Sequence, residues 1–337
     1  MPDNRLNLAL AMAQNVFDRV FTPRHLAELA EHARVLSANP ITTFDDPLAH
    51  DLLARVEVLI TGWGCPPVDA AVLDHAPRLR YIIHAAGTVK HHLTPTCWER
   101  GIEVSSAAAA NAVPVAEFTV AMVLLSGKRV LQLATALRQQ RGAIDAEALF
   151  PTMGNYRKQI GIVGASKIGR HVIELLSPYA FTVVVADPHL DERAAAELGV
   201  TLMELDDLIA TSDIVSLHAP SLPETHHMID ERRIALLRPD ATIINTARGE
   251  LVDQNALTRR IQRGDLHAVL DVTTPWVLDA ADPLYEHPNV LLTPHIAGSL
   301  GVELERLAET AVAETRRLSR GHALAHPVLA VELPFMA

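Results

Sequence analysis

Aromatic side chains are scarce in this chain. Phe, Trp and Tyr make up 4% of its 337 residues, against 49% hydrophobic residues overall. A core of Ala, Val and Leu with so few rings suits parallel sheets buried on both faces, and so an α/β protein. Cysteine is scarcer still. Cys65 and Cys97 have neither metal nor redox spacing, which argues against a disulfide framework and makes a reduced, cytoplasmic protein the expectation. Positive charge is in deficit: 29 Lys and Arg against 40 Asp and Glu give a formal net charge of −11, which argues against nucleic acid or an anionic membrane as partner. Low-complexity segments and solenoid repeats are absent from the sequence. Long apolar runs are short of what a membrane needs. Arg5 followed by Leu6–Ala13 imitates a brief signal peptide, but Asp3 offsets Arg5 and the run reads better as the first strand of a domain. No other stretch is expected to approach the ~20 apolar residues of a membrane span. At this length two domains are expected.

The most informative segment is Gln159-Ile160-Gly161-Ile162-Val163-Gly164-Ala165-Ser166-Lys167-Ile168-Gly169-Arg170. An apolar strand runs into a glycine turn and an amphipathic helix, Lys167 to Leu176, whose N-terminal N–H groups can hold a pyrophosphate. A second apolar run, Phe181 to Ala186, ends in Asp187, placed to accept hydrogen bonds from an adenosine ribose. The combination predicts an NAD-type site. Its middle glycine is replaced by Ser166, whose hydroxyl can donate to a phosphate oxygen. Asp187, which would repel a 2′-phosphate while accepting from free ribose hydroxyls, is followed by Pro188 and His189 and no arginine, which favours NAD over NADP.

Before residue 105 strands are expected at Leu6–Met12, Ala33–Ser37, Val56–Thr61, Leu79–His84 and Ile102–Ser105. Thr22 caps a helix with Pro23 in its first turn. This alternation predicts a parallel sheet without a fingerprint glycine loop, so the first unit is expected to hold substrate. From Val113 to about Leu133 one long helix is expected, with Pro114 in its first turn and a largely apolar surface suited to a domain or subunit interface. Later strands at 213–218, 242–245, 268–272 and 290–292 end near Ala219-Pro220, Thr246-Ala247-Arg248-Gly249, Asp271 and Thr293-Pro294-His295. Functional groups of such sheets gather beyond the carboxyl ends of strands.

Hydride transfer to a 2-oxo acid needs a cation for the carboxylate and a proton donor for the carbonyl oxygen. Arg248 offers a planar fork, and His295 titrates near neutral pH. Singly, each is more often structural; beside a nucleotide site they form a catalytic pair. The doublets His91-His92 and His226-His227 are expected to diverge into solvated loops, and no metal site is expected. Trp63 and Trp98 are expected to pack the first domain.

Over residues 80–300 the chain resembles the D-isomer-specific 2-hydroxyacid dehydrogenase family. The matching motifs are Val115-Ala116-Glu117, the Gly164 loop, Ser216-Leu217-His218-Ala219-Pro220 and Pro223-Glu224-Thr225. They continue with Asn245–Asp253, Leu270-Asp271-Val272 and Asn289–Gly298. The resemblance implies two Rossmann-like domains with parallel sheets, an NAD-binding domain (107–298) inserted into a flavodoxin-like substrate domain (1–106 and 299–337), and an active site in the interdomain cleft. NAD would be held by Gly164, Ser166, Lys167, Ile168, Gly169, Asp187, His218, Ala219, Pro220, Thr225, Thr246, Ala247, Arg248, Asp271 and His295, with Asp271 on the nicotinamide amide. Substrate would meet Ala86, Gly87, Thr88, Arg248 and His295, with His84 a further candidate for the pocket lining. Homodimers would form through the nucleotide-binding domains. One departure stands out. The family reads Asp-Val-x-x-x-Glu-Pro where this chain reads Asp271-Val272-Thr273-Thr274-Pro275-Trp276-Val277, so Trp276 occupies the place of the glutamate that partners the histidine. Indole carries no negative charge. The expected function is an NAD-dependent oxidoreductase on a small 2-hydroxy or 2-oxo acid. The alternatives are a catalytically weakened NAD(H)-binding sensor or scaffold, and a formate- or phosphite-type dehydrogenase.

Overall fold

The structure, a computed structural model, describes residues 5–335; the first four residues of the expected substrate domain and the last two of its return segment lie outside the described residues. The chain divides into two compact units, one of residues up to Asn111 and from Ser299 onward, the other Ala112–Gly298. Both are built on parallel sheets.

In the first unit β1 (Asn7–Ala11), β2 (Arg34–Val35), β3 (Val58–Thr61), β4 (Tyr81–His84) and β5 (Glu103–Ser106) lie in the order β2-β1-β3-β4-β5. All pairs are parallel, in the flavodoxin-like order. β1 and β3 carry continuous apolar runs because helices cover both faces of the sheet. Thr22 does cap the helix Pro23–His32, its hydroxyl accepting from the His25 N–H, an arrangement worth about 1 kcal/mol. One face of that helix packs on the helix Leu304–Ser319, whose Leu307, Ala308 and Ala311 enter the same core as Leu8, Leu10 and Leu29. The strand expected over Ala33–Ser37 shortens to Arg34–Val35, since it pairs on one side only, at the sheet edge.

The second unit holds β6 (Gln159–Val163), β7 (Thr182–Ala186), β8 (Thr201–Leu202), β9 (Ile214–Leu217), β10 (Ala241–Asn245), β11 (Leu266–Leu270) and β12 (Val290–Leu292). Their order is β12-β11-β10-β9-β6-β7-β8. Strand order reverses between β6 and β9, and ligands of such sheets bind in the crevice that this reversal opens at the carboxyl ends.

The long helix differs from expectation. It is two helices, Ala108–Gly127 and Val130–Gln140, and Pro114 lies inside the first of them, beyond its first turn. Between them Arg129 adopts a left-handed φ of 53°. Its guanidinium donates to the Asp240 carbonyl and to Thr242 Oγ1, and lies 5.8 Å from the Phe150 ring centre. These contacts offset the backbone strain of about 1–2 kcal/mol. The helix Ala108–Gly127 is also, by length and mean hydropathy (1.7), long and apolar enough to cross a membrane, contrary to the expectation that no stretch comes near. Here Ala116, Val120 and Val123 pack into the core of the second unit with Ile160, Ile162 and Ile244.

Candidate active site

The glycine loop is fixed from both sides. Gly164 leaves β6 with φ 96°, and a Cβ there would stand 2.7 Å from the Ala219 nitrogen, so only glycine fits. Ser166 is the N-cap of the helix Lys167–Leu176: its hydroxyl oxygen accepts from the Gly169 N–H at 3.3 Å, leaving its own hydrogen to donate elsewhere. Asp187, just past β7, is engaged by the protein itself. One carboxylate oxygen accepts from the Ala165 N–H at 2.6 Å and the other from the His189 N–H at 2.8 Å. The acid thus ties the fingerprint loop to the neighbouring strand. Lys167 is exposed and Ile168 half buried at the start of the helix.

Three turns beyond adjacent strands carry the remaining groups. After β10, Asn245 braces its own turn: Oδ1 accepts from the Ala247 N–H at 3.0 Å and Nδ2 donates to the Arg248 carbonyl at 2.8 Å. Arg248 is half buried and donates to the Ala247 carbonyl at 2.6 Å. Burial lowers its pKa, with Glu250 opposing. The next residue must be small, because a Cβ on Gly249 would collide with the Thr273 carbonyl. Gly249→Ala is therefore expected to cost about 1–3 kcal/mol of stability, read from the urea midpoint; a variant as stable as the parent would show that the two turns are not packed this tightly.

After β12 the chain turns through His295 with φ 54°. Asp271, buried at 2% exposure just past β11, holds that turn. Its carboxylate accepts from Thr293 Oγ1 (2.6 Å) and from the N–H groups of Ile296 (2.8 Å) and Ala297 (2.9 Å), and its carbonyl accepts from the His295 N–H (3.1 Å). Both carboxylate oxygens of Asp271, expected on a nicotinamide amide, are thus bound to the His295 turn. The Trp276 ring packs at 4.7 Å from the His295 ring, tilted by 40°, while 65% exposed. His295 Nδ1 is buried with no hydrogen-bond partner among the described residues. Burial lowers the His295 pKa; Asp271 opposes that shift and the charge of Arg248 adds to it. Asp271, Trp276, Val277, Tyr285 and His295 line part of a cavity of about 490 Å³.

The other expected cofactor residues are ordered by local bonds. His218 is buried, its Nε2 2.9 Å from Ser216 Oγ, and burial pushes its pKa down to about 3. Ala219 packs on Gly164. Thr225 Oγ1 donates to the Pro220 carbonyl at 2.6 Å and accepts from the Leu222 N–H, which pins that turn. Thr246 is buried with Oγ1 3.1 Å from Thr119 Oγ1, and Ala247 is buried beside it. In the first unit Ala86 is fully buried, whereas Gly87 and Thr88 are half buried; among the described residues no protein group accepts from the N–H of either. Three expectations fail. His84 is buried at 2% exposure and bonded to Thr61, so it exposes little to a ligand. His92 is buried too, because it bonds Thr61 instead of facing solvent. His226 and His227 stack at 3.9 Å instead of diverging, since His227 takes a left-handed φ of 49°. Sequence reasoning had given no role to Asn245, Thr61 or Thr293; each acts through a bond to a turn that the sequence pattern does not mark.

Residues 120–297 match the family model described as "D-isomer specific 2-hydroxyacid dehydrogenase, NAD binding domain". A D-3-phosphoglycerate dehydrogenase of Mycobacterium bovis is 34% identical over 257 residues, 75% of this chain and 47% of that protein. The chain thus spans about half the length of the first curated relatives it matches. A glyoxylate reductase of Korarchaeum cryptofilum is 31% identical over 76% of this chain and 77% of that protein. Among solved structures, a D-lactate dehydrogenase from Aquifex aeolicus complexed with NAD and lactic acid superposes with a TM-score of 0.68 at 28% identity, covering 94% of this chain and 96% of that one.

Proposed function

Because the chain belongs to the D-isomer-specific 2-hydroxyacid dehydrogenase family, we propose that it transfers a hydride between NAD and a small 2-oxo or 2-hydroxy acid. The observation that carries this reading is the set of three braced turns. Arg248, Asp271 and His295 stand just beyond the neighbouring strands β10, β11 and β12, close enough that the Arg248 charge depresses the His295 pKa. The NAD-binding unit supplies a loop that only Gly164 fits and a capped helix N-terminus, both suited to a pyrophosphate. Bound there, NAD gives or takes the hydride. Arg248 holds the carboxylate of the acid through its planar fork. His295 gives a proton to the carbonyl oxygen in reduction and takes it back in oxidation. Trp276 covers one face of the imidazole and supplies no charge, so His295 works with its pKa below the ordinary value. The N–H groups of Gly87 and Thr88, which meet no acceptor among the described residues, receive a carboxylate in this reading.

The test is turnover of a panel of 2-oxo acids with NADH, NADPH being run beside it. NADH is expected to bind at least tenfold more tightly, because the Asp187 carboxylate repels a 2′-phosphate at close range. Equal affinity in fluorescence titrations would reject the role given to Asp187. The contact between Trp276 and His295 also favours a second reading, a catalytically weakened NAD(H) binder that signals redox state to a partner; NADH binding with no turnover across the panel selects it. A formate- or phosphite-type reaction, which needs no proton donor, is separated by adding those two substrates to the panel. A homodimer through the NAD-binding unit fits the helix Val130–Gln140, which buries no residue within the chain and leaves Leu137 54% exposed. A cytoplasmic location fits the two buried, unpaired thiols of Cys65 and Cys97.

A further inference from the structure

Two imidazoles that the proposed reaction does not use bracket the loop Ala85–His91. His84 ends β4 and is 2% exposed; His92 follows the loop and is 7% exposed. Their rings lie 4.5 Å apart, tilted by 39°. Thr61, the fully buried last residue of β3, sets its Oγ1 2.9 Å from His84 Nδ1 and 3.2 Å from His92 Nε2. A hydroxyl has one hydrogen, so it donates to one ring nitrogen and accepts from the N–H of the other. In this clasp the ring that accepts must be neutral, and burial favours the neutral form of both. It pushes the His84 pKa well below the ordinary value, His92 adding to the shift and the Thr88 backbone opposing it. It brings His92 to about 4, with His91 adding.

Within the loop between the two rings Ala85, Ala86 and Val89 are buried, and Val89 enters the core of the first unit. Ala85 donates to the Thr61 carbonyl at 2.8 Å, and the far end closes through His92 N–H to the Val89 carbonyl at 3.2 Å. Between them Lys90 N–H reaches Thr88 Oγ1 at 3.3 Å. Thr61 therefore touches the loop at both ends, by its carbonyl at the start and by its hydroxyl through the two rings.

We propose that Thr61 is a positioning residue for substrate: its hydroxyl joins His84 to His92 and so fixes the loop whose Gly87 and Thr88 N–H groups receive the carboxylate of the acid. The proposal rests on the dehydrogenase reading above, and its test has one arm that does not. Thr61→Val keeps the shape and removes the hydroxyl, while Thr61→Ser keeps it. Loss of both hydrogen bonds should raise KM for the best 2-oxo acid by roughly tenfold in the valine variant, with kcat within about twofold. Thr61→Ser should restore KM, and NADH affinity should stay unchanged in both. Independently, hydrogen exchange of the peptide covering residues 85–92 should quicken in Thr61→Val and not in Thr61→Ser. A valine variant with parental KM, or one whose 85–92 exchange is unaltered, overturns the proposal. So does an equal loss of kcat in both variants, which would mark general damage. If the parent protein turns over no 2-oxo acid, the dehydrogenase reading falls, and the exchange measurement still decides whether the hydroxyl fixes the loop.

Discussion

Replacing Arg248 by alanine is expected to lower kcat/KM for the best 2-oxo acid by about a thousandfold while leaving NADH affinity within a few-fold of the parent. The guanidinium is half buried and its charge is desolvated enough to lower its pKa. Among the described residues its guanidinium bonds to the neighbouring Ala247 carbonyl, which leaves donors of the fork for a ligand. A carboxylate arriving in two parallel hydrogen bonds compensates that desolvation, and a buried charge pair broken at one end costs about 3–5 kcal/mol. Arg248→Lys keeps the charge but not the fork, so an intermediate loss is expected, appearing mainly in kcat/KM for the acid. Steady-state kinetics with NADH saturating checks both variants. Unchanged kcat/KM in Arg248→Ala would remove the residue from the mechanism.

His295→Asn should reduce kcat by about 10²–10⁴-fold, the usual contribution of a positioned acid or base. The pH profile says more about how the residue works. Reduction uses the protonated imidazole and oxidation the neutral one. Because burial and the Arg248 charge place the His295 pKa below its ordinary value, the protonated fraction is small at pH 7. The reduction rate should therefore rise as pH falls through the acid side of 6.5, and oxidation should be flat from neutral pH upward. Trp276→Glu puts a carboxylate near a ring that now meets an indole. A nearby opposite charge raises such a pKa by about 1–3 units, so the falling limb of reduction should move to higher pH by that amount. The orphaned Nδ1 of His295 is the atom the new carboxylate can serve. A parent profile already flat to pH 8 would mean that another carboxylate serves the imidazole.

The parts of this site legible in the sequence are those with a local signature. Strand, glycine turn and helix at Gln159–Leu176 coincide with the observed elements because period, cap and turn residue agree over a short span. Arg248 and His295 fall just beyond strands, and apolar runs mark strands well. The roles of Asp187 and Asp271 were not legible. Both residues sit where a nucleotide site expects an acid, yet their carboxylates bind backbone N–H groups of loops 22 to 26 residues away. Nothing local encodes a partner at that distance. The Thr61 clasp spans 23 and 31 residues for the same reason. The break after Gly127 had a local sign in that glycine. The left-handed Arg129 that completes it depends on Asp240, Thr242 and Phe150, all distant in sequence.

The helix Leu304–Ser319, which fills the core of the first unit beside Leu8, Leu10 and Leu29, sets an order of events during synthesis. The residues up to Asn111 leave the ribosome before the second unit, yet one of the helices that cover their apolar face is translated roughly 190 residues later. At about 5–20 residues per second that is a wait of about 10–40 s. The second unit is contiguous from Ala112 to Gly298, so all of it is translated before that helix. For that interval the face has only its two early helices, Gln14–Val20 and Pro23–His32, and the apolar surface that the late helix would bury stays open to chaperones.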